Sequence, residues 1–316
     1  MSNKLVHAVT GAFGYSGRYI AARLLAENRE VITLTNSSPQ ASPFGGRVRV
    51  FPLSFAQPDK LAQSLRGVDV LYNTYWVRFN HRWFSHAEAV QNTLTLFEAA
   101  RRAGVRRVVH VSITNPSLDS SLEYFSGKAR LEQALEHSGL DYSILRPTVL
   151  FGREDILINN IAWALRRFPV FAVFRDGNYR LQPIYVEDLA ALAVAEGSGQ
   201  GKRMINAIGP ETFTYRALVN AVGEAIGCHR RIVQVSPGVG YAASRVIGWF
   251  KRDIFITREE IKGLMDDLLY VNAPAAGETR LTAWMRANAY TLGREYASEL
   301  ARRRERHAGI PAGVMP

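Results

Sequence analysis

Apolar positions in the first half of the chain fall in short, nearly continuous runs rich in Val, Ile and Leu, at residues 5–10, 31–35, 48–53, 68–74, 107–112 and 142–145. Runs of that length and composition predict strands buried on both faces. Between them the spacing changes to the three-and-four rhythm of amphipathic helices, over 15–27, 58–65, 84–103 and 124–137. Strand and helix in alternation predict parallel strands joined by right-handed helical crossovers, so the expected fold class is α/β with a doubly wound parallel sheet. Beyond residue 150 helical spacing dominates, at 156–167, 186–196, 215–226, 258–269, 279–288 and 292–304. Only scattered strand candidates remain, at 179–184, 204–208 and 232–235. This half predicts a smaller, mainly helical C-terminal lobe, with at least one strand returning to the sheet.

Composition narrows the class without naming a function. The chain has 316 residues, 47% of them hydrophobic and 21% charged, which is enough for a large core and excludes disordered and fibrous classes. Lys and Arg number 39 against 28 Asp and Glu, a net charge of +11. The surplus is spread along the chain and reads as solvated surface. No helix-turn-helix or basic recognition helix stands out, so no nucleic-acid partner is expected. The single cysteine, Cys228, excludes an internal disulfide and a Cys-rich metal site. The seven histidines lack metal-ligand spacing, so no metal is expected. No apolar run approaches the ~18 residues of a spanning helix, and the N-terminus shows no signal core. The expected location is cytoplasmic. Two segments mixing aromatics with basic residues, 163–174 and 246–253, leave peripheral membrane contact open beside ordinary packing. No pattern encodes an oligomeric state.

The strongest motif is Val9-Thr10-Gly11-Ala12-Phe13-Gly14-Tyr15-Ser16-Gly17-Arg18. Three glycines at three-residue spacing lie between a predicted strand and a predicted helix. Gly11 suits the tight turn off the strand, Gly14 a close approach of backbone to a pyrophosphate, and Gly17 close packing of helix on sheet. The positive end of the helix then faces the phosphates. This context predicts a Rossmann dinucleotide site over residues 1–153, rejoined by the chain near 183–208. Residues 154–316 form the substrate-side helical lobe. At the end of the second strand an acidic residue would select NAD(H) by binding the ribose 2′-OH. Here the sequence reads Thr35-Asn36-Ser37-Ser38, without a carboxylate. Asn36 and Ser37, with Arg18 adding charge, therefore favour NADP(H), with NAD(H) the alternative cofactor.

A second constellation carries chemistry. Tyr124 and Lys128 are four apart and share one helical face. A tyrosine with pKa of about 10 is a poor base at neutral pH, and a nearby ammonium favours its phenolate. Just upstream, the run 108–114 is a buried strand ending in hydroxyls. Ser112 or Thr114 would bind a substrate carbonyl or alcohol oxygen beside Tyr124. Hydroxyl, phenol and ammonium beside a nicotinamide suit hydride transfer at a C–OH or C=O centre.

At these residues the sequence resembles the extended or atypical branch of the short-chain dehydrogenase/reductase superfamily. Within it, the likeness is to epimerase/dehydratase-like proteins, NmrA-like proteins and the Rossmann-type accessory subunit of respiratory complex I. The glycine fingerprint carries the resemblance, together with segments 90–93, 97–100, 145–152 and 182–190. It implies that Tyr124 is the acid/base, Lys128 holds the ribose and tunes the phenol, and Ser112 positions the substrate. The implied cofactor contacts are Gly11, Phe13, Gly14, Tyr15, Gly17, Arg18, Asn36, Ser37, Leu53, Asn73, Thr74, Lys128, Pro147, Thr148 and Val149. The chain departs from the family at 71–76, where bulky aromatics replace small residues, and at Gly127, inside the Tyr-to-Lys turn. The expected function is an NADP(H)-dependent oxidoreductase acting on a carbonyl or alcohol of a small, apolar substrate. The alternatives are an epimerase/dehydratase and a non-catalytic nucleotide-binding scaffold or redox sensor.

Overall fold

A computed structural model of the chain describes residues 5–36 and 42–307, excluding the side chains of 304–307. Ser37 lies outside the described residues. The chain divides into two compact units, Met1–Arg146 with Leu189–Ile205 and Glu305–Pro316, and Pro147–Asp188 with Asn206–Arg304.

In the first unit the elements run β1 (Val6–Thr10), α1 (Tyr15–Ala26), β2 (Glu30–Leu34), β3 (Val48–Phe51), α2 (Pro58–Ser64), β4 (Val68–Asn73), α3 (His86–Ala103), β5 (Arg107–Val111), α4 (Glu123–Glu136) and β6 (Asp141–Pro147). The sheet order is β3-β2-β1-β4-β5-β6, with the strand Lys202–Ala207 beside β6 at the edge. The pairings among β1 to β6 are parallel, with Val9 opposite Thr33 on one side and Tyr72 on the other. This is the expected doubly wound α/β sheet. Its order reverses between β1 and β4, the point at which open parallel sheets bind ligands beyond their carboxyl ends. Ala8, Ile32, Leu71, Val108 and Ile144 join Leu61, Leu96 and Leu131 of the helices in one core. The helix ends follow local chemistry. Ser85 Oγ accepts from Glu88 N at 3.1 Å to start α3, and Gly104, at φ 74°, stops it.

One buried charge ties distant parts of this unit together. The Arg107 side chain is fully buried. It donates to Glu196 O, Gly201 O and Ser143 Oγ, each at 2.6 Å. Ser143 Oγ donates in turn to Glu196 Oε2 at 2.5 Å, and Arg203 pairs with Glu196 Oε1 at 2.8 Å. Every polar group of the cluster is partnered, the condition under which a buried ion pair is tolerated. The helix Val186–Ser198 and the strand after it are thereby fixed to the sheet.

The second unit is mainly helical, with three short strand pairs. Leu150–Phe151 pairs with Ile184–Tyr185, Arg180–Leu181 with Phe213–Thr214, and Val170–Phe174 with Arg231–Val235. Val170–Phe174 is a strand where none was expected, and two helices also differ from the sequence expectation. The helix Pro237–Lys251 falls where no helix was predicted, because its inward face is small rather than apolar. The helix expected over 292–304 begins only at Glu299. Gly293 interrupts it with φ +70°, and a Cβ there would lie 2.4 Å from Trp163 N.

Candidate nucleotide site

The glycine loop leaves β1 at the reversal of strand order. Gly11 has φ +64°, a conformation that L side chains rarely adopt, and its N–H donates to Leu34 O at 3.0 Å. Gly14 N donates to Gly11 O at 2.7 Å, closing the turn. Gly17 packs so closely that a Cβ would lie 2.4 Å from Gly11 O and 3.1 Å from Thr74 Oγ1. No side chain caps α1, and its first turn contains no acidic residue. Its positive end is therefore suited to an anion. Tyr15 and Arg18 lie in the first turn, and the Arg18 guanidinium sits 5.5 Å from the Tyr19 ring centroid. Phe13 is buried, 6.5 Å from Phe44. A turn at φ +64°, packed against Gly17 and facing an uncapped helix end without acids, fits a pyrophosphate, and hence a nicotinamide dinucleotide. When bound, that group supplies the hydride donor or acceptor.

Neighbouring polar residues brace the loop. Thr74 Oγ1 donates to Thr10 O at 2.6 Å, and Thr74 N donates to Thr10 Oγ1 at 2.8 Å. Thr10 Oγ1 donates to Asn73 Oδ1 at 3.0 Å, and Asn73 Nδ2 donates to His110 Nδ1 at 3.0 Å. Burial and the Lys128 charge hold His110 well below its ordinary pKa, so it is neutral. Asn73 is fully buried, so its side chain serves this bracing network. Asn36 Oδ1 accepts from Leu53 N at 3.0 Å and Asn36 Nδ2 donates to Leu53 O at 3.3 Å, which commits its amide to clamping β2 to the chain after β3. Pro147, Thr148 and Val149 belong to the second unit, where Thr148 Oγ1 donates to Gln182 O and Val149 O accepts from Ile184 N at 2.9 Å.

Tyr124 and Lys128 lie on one face of α4, and the sequence did not reveal what lies between them. The Trp76 indole occupies the crook. Its ring lies 4.3 Å from Lys128 Nζ, and its edge meets Tyr124 at a centroid distance of 5.6 Å. His86 stacks on the other side at 5.8 Å. A Cβ on Gly127 would lie 3.1 Å from the Trp76 ring, so the glycine inside the Tyr-to-Lys turn is what admits the indole. Lys128 is only 2% exposed, and its Nζ donates to Val111 O at 2.7 Å. Ser112 ends the same strand segment; its N–H donates to Leu145 O at 2.7 Å. Its hydroxyl is buried and has no hydrogen-bond partner among the described residues. On the central helix, Asn92 Nδ2 donates to Tyr75 Oη at 2.9 Å. The two departures noted in the sequence, aromatics at 71–76 and glycine at 127, are thus one packing event.

Burial pushes the Lys128 ammonium down to about 7 from 10.5, and the charge of Glu132 offsets this only in part. In the unfolded chain the proton stays on up to the ordinary value. Between about pH 7 and 10.5 the unfolded state therefore binds more protons, and stability rises with pH; below that window the cost of burying the charge is constant. The urea midpoint of wild type is expected to climb from pH 7 to 9.5, and Lys128→Met to flatten that climb. Equal slopes in the two proteins would show that the rise has another source.

A family model described as NAD(P)H-binding matches residues 11–158. This part of the chain is therefore similar to NAD(P)H-binding domains. Beyond that span, the likeness to known proteins is of sequence at below 30% identity and of fold. The mitochondrial NADH dehydrogenase (ubiquinone) 1 alpha subcomplex subunit 9 of Arabidopsis thaliana is 27% identical over 236 residues, covering 70% of this chain and 58% of that protein. The chain spans less than two thirds of the length of the first curated relatives it matches. A triphenylmethane reductase from Citrobacter sp., solved with NADP(H), superposes with TM-score 0.72 at 19% identity over 90% of this chain and all of that one. A nucleoside-diphosphate-sugar epimerase from Staphylococcus aureus gives TM-score 0.72 at 15% identity, over 89% of this chain and all of that one. These two likenesses establish the fold. The span that the family model matches takes in the glycine loop, Trp76 and the Tyr124–Lys128 pair.

Proposed function

We propose that the protein binds NADP(H) and holds it as a fixed structural or sensing ligand, without steady turnover. One observation carries this reading: the Lys128 ammonium is committed to Val111 O and covered by Trp76. A lysine so placed stiffens the strand-to-helix junction and keeps its proton away from the phenol. The resemblance in sequence to an NADH dehydrogenase subunit supports a role inside a larger assembly. The preference for NADP(H) rests on the missing carboxylate after β2, with Arg18 in the first turn of α1. A second reading, an NADP(H)-dependent oxidoreductase of a carbonyl or alcohol centre, is favoured by the buried Ser112 hydroxyl, which has no partner among the described residues and follows the Val111 carbonyl that holds Lys128.

One experiment separates the two. Wild type and Tyr124→Phe are titrated with NADPH by calorimetry and assayed by NADPH absorbance across a panel of aldehydes, ketones and quinones. A fixed ligand predicts binding unchanged by Tyr124→Phe and no net NADPH oxidation in either protein. A reductase predicts turnover that falls about 10²–10⁴-fold in the variant, the usual loss for a positioned acid/base. Turnover of that kind would overturn the fixed-ligand reading.

A further inference from the structure

The helix Pro237–Lys251 is built inside out. Small residues make its inward contacts. A Cβ on Gly240 would lie 2.4 Å from the Phe174 ring, and one on Gly248 would lie 2.6 Å from Asp253 O. Between them Ser244 is buried and donates to Tyr241 O at 2.7 Å. The outward positions are apolar. Val239, Ala242, Ala243, Val246, Trp249 and Phe250 are all exposed, at three-and-four spacing along one stripe. Trp249 is 76% and Phe250 72% exposed, and their rings touch edge to face at 4.8 Å. Large apolar side chains lined up in this way on a soluble surface mark a docking face.

The charges on the helix itself have one sign. Residues 237–252 contain Arg245, Lys251 and Arg252 and no acid. The next acid, Asp253, is buried, and its carboxylate accepts from Tyr296 Oη at 3.0 Å and from the N–H groups of Glu299 and Leu300 at 3.1 Å. Lys251 turns its ammonium back over the Trp163 ring at 5.0 Å, which leaves Arg245 and Arg252 flanking the stripe. We propose that this face lies on an anionic lipid surface. Trp249 and Phe250 sit below the headgroups, and Arg245 and Arg252 meet the lipid phosphates. A surface apolar beneath and anionic above matches an apolar stripe edged only by cations. Two other occupants fit less well. A second copy docking stripe to stripe would bring like charges together with no acid between them. A protein groove could take such a face, but it would also need an acidic rim to meet Arg245 and Arg252, whereas an anionic lipid surface supplies both features at once. No described helix is long and apolar enough to span a membrane, so the contact is peripheral.

Flotation of the full chain on density gradients tests this. The probes are vesicles of phosphatidylcholine alone, and of phosphatidylcholine with about one third phosphatidylglycerol. Wild type is expected to float with the anionic vesicles at about 0.05 M salt and to be released at about 0.5 M, where charges are screened. Trp249→Ser with Phe250→Ser should weaken partitioning at least tenfold, since burying each ring contributes substantially. Arg245→Gln with Arg252→Gln should remove the preference for anionic over neutral vesicles, about fivefold per charge. Unchanged circular dichroism, thermal midpoint and NADPH affinity confirm that both variants fold. The proposal fails if wild type stays at the bottom of the low-salt anionic gradient, or if the double serine variant floats equally well. It also fails if wild type sediments as a dimer that the serine variant breaks, because the face then belongs to a second copy.

Discussion

Gly17→Ala is expected to weaken NADPH binding roughly thirtyfold or more, although it adds a single methyl group. That methyl would lie 2.4 Å from Gly11 O and 2.9 Å from Gly11 C, both backbone atoms of the turn that cradles the pyrophosphate. A flexible side chain could yield to it, but the turn cannot. Gly11 is held at φ +64° by its own bond to Leu34 O, and Thr74 braces the loop from β4. Overpacking of this kind costs about 1–3 kcal/mol, and about 2 kcal/mol at the binding surface corresponds to the thirtyfold loss. Gly238→Ala is the control. It lies early in a helix with nothing within 4 Å of the added carbon, and should leave affinity unchanged. Calorimetric titration of the three proteins checks the claim, and equal affinities would mean that the nucleotide does not use this loop.

Arg107→Leu is expected to destabilise the fold by about 3–5 kcal/mol, the cost of breaking a buried charge pair from one side. The substitution removes three hydrogen bonds of 2.6 Å and strands the carbonyl of the buried Glu196. Burial lowers the pKa of this guanidinium, and only its ring of acceptors makes the charge tolerable there. Urea unfolding followed by circular dichroism reads the effect. A loss below about 1 kcal/mol would show that neighbouring groups or water replace the arginine readily. A double cycle with Glu196→Gln then apportions the ion pair within the cluster.

Much of the first unit was legible in the sequence because its signals are local. Val- and Ile-rich runs of strand length between turn signals favour strands buried on both sides, and three glycines between a strand and a helix leave little choice of turn. The shared face of Tyr124 and Lys128 follows from helix geometry alone. What those side chains touch does not. The sequence placed Asn36 and Asn73 among cofactor contacts, whereas their amides bind Leu53 and the pair Thr10 and His110. Short polar side chains at strand ends can serve a ligand or the backbone equally, and nothing local decides between them. Trp76 and Gly127 were each visible as oddities. Their partnership spans 51 positions and needed the fold to reveal it. In the second unit the pattern misled where it was inverted. The helix at 237–251 hides its glycines and shows its aromatics, so the usual apolar-inward rule gave no helix. At 292–298 helical spacing was real but was overruled by the left-handed Gly293.

The Arg107 cluster also sets an order on the birth of the molecule. Ser143 lies 36 residues further along the chain, but the other two acceptors, the carbonyls of Glu196 and Gly201, lie 89 and 94 residues on. At about 5–20 residues per second, a ribosome delivers them roughly 5–20 s after the arginine itself. From the synthesis of β6 until Lys202–Ala207 follows, β6 presents a bare edge, and the guanidinium has no carboxylate to meet. Docking of an intruding strand from another nascent chain is the hazard of such an edge. The waiting charge works against it, because a strand arriving without Glu196 would bury that guanidinium unpaired. The same side chain that secures the finished sheet therefore discourages premature closure while the remainder is being made.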